Sequence, residues 1–296
     1  MKKLKELRTH AHAKINLYLD VLSKREDGYH NIETVFHSIG LHDELILRER
    51  SKTGITISCN HPDVPNDSRN IAYRAAEYIR DVVGGIGGLE IQIDKRIPVA
   101  AGLAGGSADA AAVLYGVNEL FQLGLSYQML LEIAAKLGAD VPFCIKGGAA
   151  FGSGIGDILT PLSPLVELPL LLINPGITVS TANIFNNLHI PLTKRENGSI
   201  IIKKYVEKTD IFGVANYLYN FLESQVFHIH PELADLKTQL STQTGCCGAL
   251  MSGSGATIFA ILRDIETAQR CRSHFKNIVS FCTITTTNPI GVRIDN

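Results

Sequence analysis

The sequence predicts an α+β fold on three observations. Period-two apolar stretches mark strands, apolar residues recurring every three to four positions mark helices, and the two kinds of stretch follow each other irregularly along the chain. Strict alternation of strand and helix would have signalled a doubly wound parallel sheet instead. The 296 residues suffice for one large domain or two ordinary ones. Two are expected, 1–156 and 157–296, divided at the end of the glycine-rich stretch Gly147–Gly156. No fixed-period repeat or low-complexity tract interrupts them.

Taken in order, His10 to Leu22 alternates as a strand, with Ala11, Ala13, Ile15, Leu17 and Leu19 on one face and Lys14, Asn16 and Tyr18 on the other. Polar groups in so apolar a strand suggest a lined cleft. Ser23 to Gly28 is a turn, and extended segments follow at Tyr29 to Phe36, Leu41 to Arg50 and Gly54 to Cys59. Asn70 caps a helix that turns Ile71, Ala75, Ile79 and Val82 inward. Beyond the flexible Gly84 to Gly88, the alternation of Leu89, Ile91 and Ile93 with Glu90, Gln92 and Asp94 is a further strand. Ser126 and Gly138 bracket a helix that turns Leu130, Ile133, Ala134 and Leu137 inward. In the second half, Leu168 to Asn174 reads as a buried strand and Thr181 to Leu188 as a helical turn. Thr193 to Ser199 reads as a surface loop, and helices are expected at 210–227, 232–240 and 265–275. Gly248 to Met251 and Thr257 to Leu262 flank Ser252-Gly-Ser-Gly255, the form of a hairpin or tight ligand loop.

The stretch from Pro98 to Leu114 carries the chemistry. Gly102, Gly105 and Gly106, with Ala100, Ala101 and Ala104, leave the main chain open to close approach by a ligand. Ser107 reads as the N-cap of an alanine-rich helix with Asp109 in its first turn, and amides at a helix start favour an anion. Lys95 and Arg96 flank the turn with positive charge. A P-loop is excluded because Ser107 follows Gly106 with no lysine between, and a Rossmann turn because Ala104 stands where its second glycine belongs. Phosphate binding is therefore the better reading than a merely tight turn.

Composition excludes other classes. A net charge of -1 without a basic block leaves no footprint for nucleic acid or a membrane surface, so a small-molecule substrate is expected. Six cysteines without CxxC spacing read as reduced thiols rather than a zinc site. The pairs His10/His12 and His228/His230 have same-face strand spacing but no evident third ligand, and read as surface or core histidines. The charged start lacks an apolar h-region and the longest apolar run, Leu165 to Ile173, is too short to span a bilayer, so a cytoplasmic protein is expected.

Pro98-Val-Ala-Ala-Gly-Leu-Ala-Gly-Gly-Ser-Ala-Asp109 resembles the phosphate loop of the GHMP small-molecule kinases, and Gly253-Ser-Gly-Ala256 resembles their C-terminal glycine motif. Ala13-Lys-Ile-Asn-Leu17, Asp27-Gly-Tyr-His30 and Gly138-Ala-Asp-Val-Pro142 resemble one branch of that family, which phosphorylates the 2-hydroxyl of a methylerythritol unit carrying a cytidyl group, in the non-mevalonate route to isoprenoids. These motifs occur in the family's order along nearly the whole chain. Homoserine, mevalonate and sugar kinases share the glycine loop but need not share the first two of those three. A non-catalytic nucleotide-binding module could lose Asp140 or Lys14, and both are kept. Ala108 departs from the branch, which usually has a second serine there.

The resemblance implies a two-domain GHMP kinase architecture, ribosomal protein S5-like followed by ferredoxin-like, with ATP over the loop between them and Mg2+ arriving with the nucleotide. It also implies a monomer or weak homodimer. Asp140 is implied as the group that takes or orients the substrate proton, and Lys14 as its partner that offsets charge on the moving phosphoryl group. Asn70, Lys95 and the run Pro98, Val99, Ala100, Ala101, Gly102, Leu103, Ala104, Gly105, Gly106, Ser107 and Ala108 fall where the family holds the nucleotide. Asn16, Tyr29, His30, Phe36, Ile155, Thr181 and Phe185 fall where the branch holds its substrate, the aromatic ones at the cytidine end. Metal ligands stay open, with Ser107 a possible neighbour.

Overall fold

The computed structural model describes residues 5–190 and 197–295. Its elements in chain order are β1 (Glu6–Lys24), β2 (His30–Arg50), β3 (Ile55–Cys59), α1 (Ile71–Val82), β4 (Gly88–Asp94), α2 (Gly105–Phe121), α3 (Tyr127–Leu137), α4 (Val141–Lys146), β5 (Ala149–Ser153) and β6 (Ile158–Leu162). There follow β7 (Pro169–Asn174), α5 (Thr181–Asn186), α6 (Gly198–Glu207), α7 (Ile211–Asn216), β8 (Tyr219–Asn220), α8 (Glu223–Ile229), α9 (Pro231–Ser241), β9 (Cys246–Met251), β10 (Ile258–Leu262), α10 (Ile265–Phe275), β11 (Phe281–Thr286) and β12 (Val292–Ile294).

The elements form four layers. An eight-stranded sheet runs β12-β1-β2-β4-β3, with β5 on β2, β6 on β5 and β8 on β1; a four-stranded sheet runs β11-β7-β10-β9. Helices α1, α2 and α3 cover the first sheet, packing Ala75, Ile79, Val113, Val117 and Ile133 against Leu45, Leu47, Leu89 and Ile91. The sheets meet through Ala13, Ile15, Leu17, Val35 and Ile39 on one side and Leu170, Leu172, Phe259 and Ile261 on the other. Helices α9 and α10 close the far side through Leu233, Leu236, Leu240, Ala268 and Phe275. Among the described residues no helix is long and apolar enough to cross a membrane.

The small residues of α2 set how closely it lies on the sheet. Ala108, Ala110, Ala111 and Ala112 are fully buried, and a methyl group on Gly116 would stand 2.4 Å from Leu47 Cδ1. Asn70 and Ser126 cap α1 and α3 with side-chain hydrogen bonds, as the sequence predicts, and Asp264 caps α10 in the same way.

Several expectations need correction. The segments 29–36 and 41–50 are one strand, β2, which pairs with β1 along nearly its whole length through three register shifts. Val82, expected inward, is exposed. Helix α2 starts two residues before Ser107: Ala104 is its N-cap position, in the left-handed region at φ 57, and no side chain caps it. The expected helix 210–227 is broken because Tyr18 and Leu19 of β1 recruit Tyr219 and Asn220 as a parallel strand, a tertiary pairing that outweighs helix propensity. His228 and His230 accordingly sit at the end of a short helix, not on a strand. Helix α6 and strands β5, β6, β11 and β12 were not anticipated. Of the loop expected at 193–199, residues 193–196 lie outside the described residues, and Gly198 already begins α6. Apart from these corrections, residue 156, the expected end of the first domain, lies in the turn of the β5–β6 hairpin.

Candidate functional site

The glycine stretch is held from both sides. Lys14 N donates to Leu103 O at 3.1 Å, Thr257 N to Ala101 O at 3.3 Å, and Ser252 Oγ to Gly102 O at 2.9 Å. Gly102 has φ +76, and a Cβ there would lie 2.0 Å from Ser252 O, so no other residue fits where the two glycine loops cross. Ala100 and Ala104 also adopt positive φ, which bends the chain into α2 with Gly106 facing solvent and Ser107 partly exposed. The helix itself offers no acceptor to the amides of its first turn, and no side chain caps them. A row of donors at the positive end of a buried 17-residue helix is suited to a polyphosphate. Ala101, Leu103 and Ala108 turn their side chains into the core, while Pro98 and Val99 are partly exposed. Ala108 is fully buried, so a serine hydroxyl there would have faced the core rather than the open side.

Beside this loop the structure brings Lys14, Asn16 and Asp140 together. Lys14, only 5% exposed in its side chain, donates from Nζ to Asn16 Oδ1 at 2.7 Å and lies 3.7 Å from Asp140 Oδ2. Its ammonium stands 5.4 Å from the centre of the Phe36 ring, which stacks on Phe143 at 4.9 Å. Asp140 occupies the N-cap position of α4, yet its side chain caps nothing and remains 34% exposed, open to a ligand. Asn16 Nδ2 donates to Thr34 Oγ1 at 2.8 Å, which in turn donates to Tyr18 O at 2.7 Å. This chain of bonds fixes the Asn16 amide so that its oxygen faces the lysine.

The expected substrate residues lie on several different elements and are exposed to different degrees. Tyr29 is 60% exposed, at the end of a turn in which Asp27 pairs with Arg25. His30 and Phe185, from distant segments, bring their rings to 5.4 Å. Thr181 Oγ1 lies 2.7 Å from Ser254 Oγ, which ties α5 to the second glycine loop. Ile155 sits in the β5–β6 turn, which Ile32 N joins to β2 through Gly154 O at 2.8 Å. Phe36 is corrected: it is fully buried against Phe143 and supports the lysine from below, with no face free for a base.

Two residues expected at the nucleotide are held by other groups of the fold. Asn70 accepts from Ala72 N and donates to Pro65 O, both at 2.9 Å, so each end of its buried amide is engaged. Lys95, 3% exposed in its side chain, is paired with Asp43 and, at 2.8 Å, with Asp109, and its ammonium lies beneath Gly105, closed off from solvent. Asp43 Oδ1 also accepts from Arg96 N at 2.6 Å and Ile97 N at 2.8 Å, so it anchors the approach to the loop. Burial alone would lower the Lys95 pKa, but the two carboxylates outweigh it and hold the ammonium above its ordinary range. Burial pushes the Asp109 carboxyl well above 3.8, Lys95 opposes that and Asp43 adds to it. Asp109 Oδ1 has no partner.

Sequence reasoning missed Thr34 and Asn220. Asn220 Nδ2 donates to Met251 O at 2.8 Å and Gly253 O at 2.7 Å, which shapes the second glycine loop. Neither residue lies in a recognisable motif; only the folded chain shows what each one orients.

Residues 70–148 match the family described as GHMP kinases N terminal domain, and residues 202–279 match GHMP kinases C terminal. The chain belongs to the GHMP kinase family of ATP-dependent phosphotransferases. It is 44% identical over 276 residues to the 4-diphosphocytidyl-2-C-methyl-D-erythritol kinase of Alkaliphilus metalliredigens, covering 93% of each chain. A crystal structure of 4-(cytidine 5'-diphospho)-2C-methyl-D-erythritol kinase superposes with a TM-score of 0.81 at 31% identity, covering 95% of this chain and 100% of that one. Homoserine kinase from Cytophaga hutchinsonii, at 20% identity and a TM-score of 0.78 over 98% of this chain and 97% of its own, shares the fold.

Proposed function

We propose that this chain transfers the γ-phosphoryl group of ATP to the 2-hydroxyl of 4-diphosphocytidyl-2-C-methyl-D-erythritol. The observation that carries the reading is the meeting of Lys14 and Asp140 beside an uncapped helix start. It stands in a chain alike, nearly end to end, to kinases named for that substrate.

In the proposed mechanism the amides of Gly105, Gly106 and Ser107 grip the polyphosphate while the substrate hydroxyl lies between Asp140 and the γ-phosphorus. The hydroxyl oxygen forms a bond to phosphorus as the bond to the β,γ-bridging oxygen breaks. The proton passes to Asp140, and ADP leaves with the bridging oxygen. In a loose transition state that proton moves late, so Asp140 first orients and then accepts. The Lys14 ammonium, fixed by Asn16 and shielded from water, offsets the charge on the phosphoryl oxygens. Mg2+ bound with the nucleotide would neutralise phosphate charge. Ser107 is partly exposed and the Asp140 carboxylate a third exposed, whereas Asp109, paired with Lys95 and buried, is withheld. Tyr29, His30 and Phe185 would hold the cytosine ring, Asn16 and Thr181 the polar middle of the substrate, and Ile155 would close the wall.

The division at residue 156 is on this reading one of labour. The first part carries the phosphate grip and the Lys14–Asp140 pair, and the second adds the Ser252–Gly255 and Thr181–Phe185 wall. The reading includes a cytoplasmic enzyme acting as a monomer or weak homodimer, without nucleic acid or membrane partners. An ADP-release assay comparing the cytidyl substrate with homoserine, mevalonate and galactose tests it. Turnover should be confined to the first, and preference for any of the other three overturns the assignment.

A further inference from the structure

Strands β1 and β2 place His10 opposite Glu44 and His12 opposite His42. His10 and His12 alternate with Ala11, which packs toward the helices, so they project from the other side of the strand. One ligand atom from each of His10, His42 and Glu44 falls within 4.8 Å of the others. None of the three belongs to the kinase site described above. We propose that they form a binding site for a borderline divalent transition metal such as Zn2+.

The orientation of each ring supports this. His10 is more than nine-tenths buried, and its Nδ1 has no hydrogen-bond partner. Its Nε2 lies 2.9 Å from Asp295 Oδ2 and 2.9 Å from Arg293 Nη2. Arg293 can only donate, so its contact with Nε2 and that of Asp295 exclude each other; with the Arg293 Nη2 proton given to Asp295 Oδ1, 3.3 Å away, the Nε2 proton goes to Asp295 Oδ2 and the lone pair of Nδ1 is free. His42 Nδ1 donates to Gly40 O at 2.7 Å, which leaves the Nε2 lone pair free, 3.9 Å from Glu44 Oε1. The His10 and His42 rings stand 4.8 Å apart, edge to face. A ring nitrogen tied to a carboxylate or a backbone carbonyl while the other is open is the arrangement by which proteins fix the tautomer of a metal-binding histidine.

Two imidazoles and a carboxylate suit zinc, which takes such a triad with a further position left to water. Bonds of about 2.0–2.2 Å require the ligand atoms to draw together. The movement falls to Glu44 and His42, whose side chains are 37% and 25% exposed. Glu44 Oε1 also accepts from Arg96 Nη1 at 2.7 Å, and Arg96 keeps Asp94 as a second partner at 2.8 Å when the metal takes Glu44. His12 is not a ligand here, because it is not among the residues whose ligand atoms all fall within 4.8 Å of one another.

The test is titration of the full-length, tag-free, metal-stripped protein with Co2+ and Zn2+. One equivalent of Co2+ should produce visible d–d bands without the thiolate charge-transfer band that Cys246 or Cys247 would give, and Zn2+ should displace it. His42→Ala and Glu44→Gln should each weaken Zn2+ binding at least about tenfold. His12→Ala and His230→Ala should retain it, and all four should keep kinase turnover with Mg-ATP. Absence of stoichiometric uptake by the wild type, or unchanged affinity in both His42→Ala and Glu44→Gln, overturns the site.

Discussion

Two lysines stand on either side of the glycine loop, each facing aspartate, and they differ in how fully they are engaged. Lys95 lies beneath the loop with hydrogen-bonded carboxylates on two sides and almost no exposure. Lys14 lies beside the cleft. Among the described residues its close partner is the neutral amide oxygen of Asn16, and Asp140 stands off at 3.7 Å, a third exposed. A saturated charge in a closed pocket resists any change of partner, so Lys95 can only hold β2, the approach to the loop and α2 together. An ammonium held by a neutral group keeps its charge for a newcomer, and a carboxylate too far away for a hydrogen bond leaves room for one. The difference separates a lysine that builds the site from one that acts in it, although both carry the same head group.

Two predictions test that division with the largest effects. Asp140→Asn and Lys14→Met should each lower kcat by about 10²–10⁴-fold, the range for losing a positioned acid–base or charge-stabilising group. Neither should change the unfolding midpoint by more than a degree or two, because neither group holds the fold together. Steady-state kinetics beside thermal melts would check this, and a Lys14→Met enzyme with raised KM but full kcat would move Lys14 from chemistry to binding. Lys95→Met should behave in the opposite way. Removing one member of a buried charge cluster leaves Asp43 and Asp109 facing each other and should cost about 3–5 kcal/mol of stability. The fraction that folds should turn over at close to the wild-type rate. Denaturant melts and active-site titration would show it, and a Lys95→Met protein that is stable but unable to bind ATP would return Lys95 to the nucleotide site.

The same contrast shows what could be read before folding. The glycine loop, the caps Asn70 and Ser126, and the period-two strands were legible because each depends on residues close in sequence. The shared face of Lys14 and Asn16 was legible for the same reason, two positions along one strand, whereas the hydrogen bond between them was not. The partners of Lys95 were not legible because they lie 52 and 14 residues away, and nothing local distinguishes a lysine beside a phosphate from one beneath the loop that binds it. Phe36 was misjudged for a similar cause, its environment being set by Phe143 across the fold. The break at Tyr219 and Asn220 depends on strand β1, two hundred residues earlier, so helix propensity over 210–227 could not reveal it.

The smallest effect sharpens the comparison furthest, because it asks which proton the buried cluster holds. The folded pKa of Asp109 is raised above 3.8, first by burial, with Asp43 adding to the shift and Lys95 opposing it. An unfolded Asp109 releases its proton near 3.8 while the folded one retains it. Over that interval the native state therefore binds more protons and loses stability as pH rises. The contribution is complete below 3.8 and gone once pH passes the raised folded value. Asp109→Asn keeps an acceptor for Lys95 but cannot ionise, so it should match wild type at about pH 4 and become the more stable protein as pH rises toward neutrality. The difference should be a few degrees, at roughly 2–4 °C per kcal/mol for a chain of this order of size. Calorimetric melts of both proteins across that range decide it. If Asp109→Asn instead loses stability relative to wild type as pH rises, Asp109 is an anion needed to balance Lys95. The ammonium under the loop is then matched by two full charges, not by one and a retained proton.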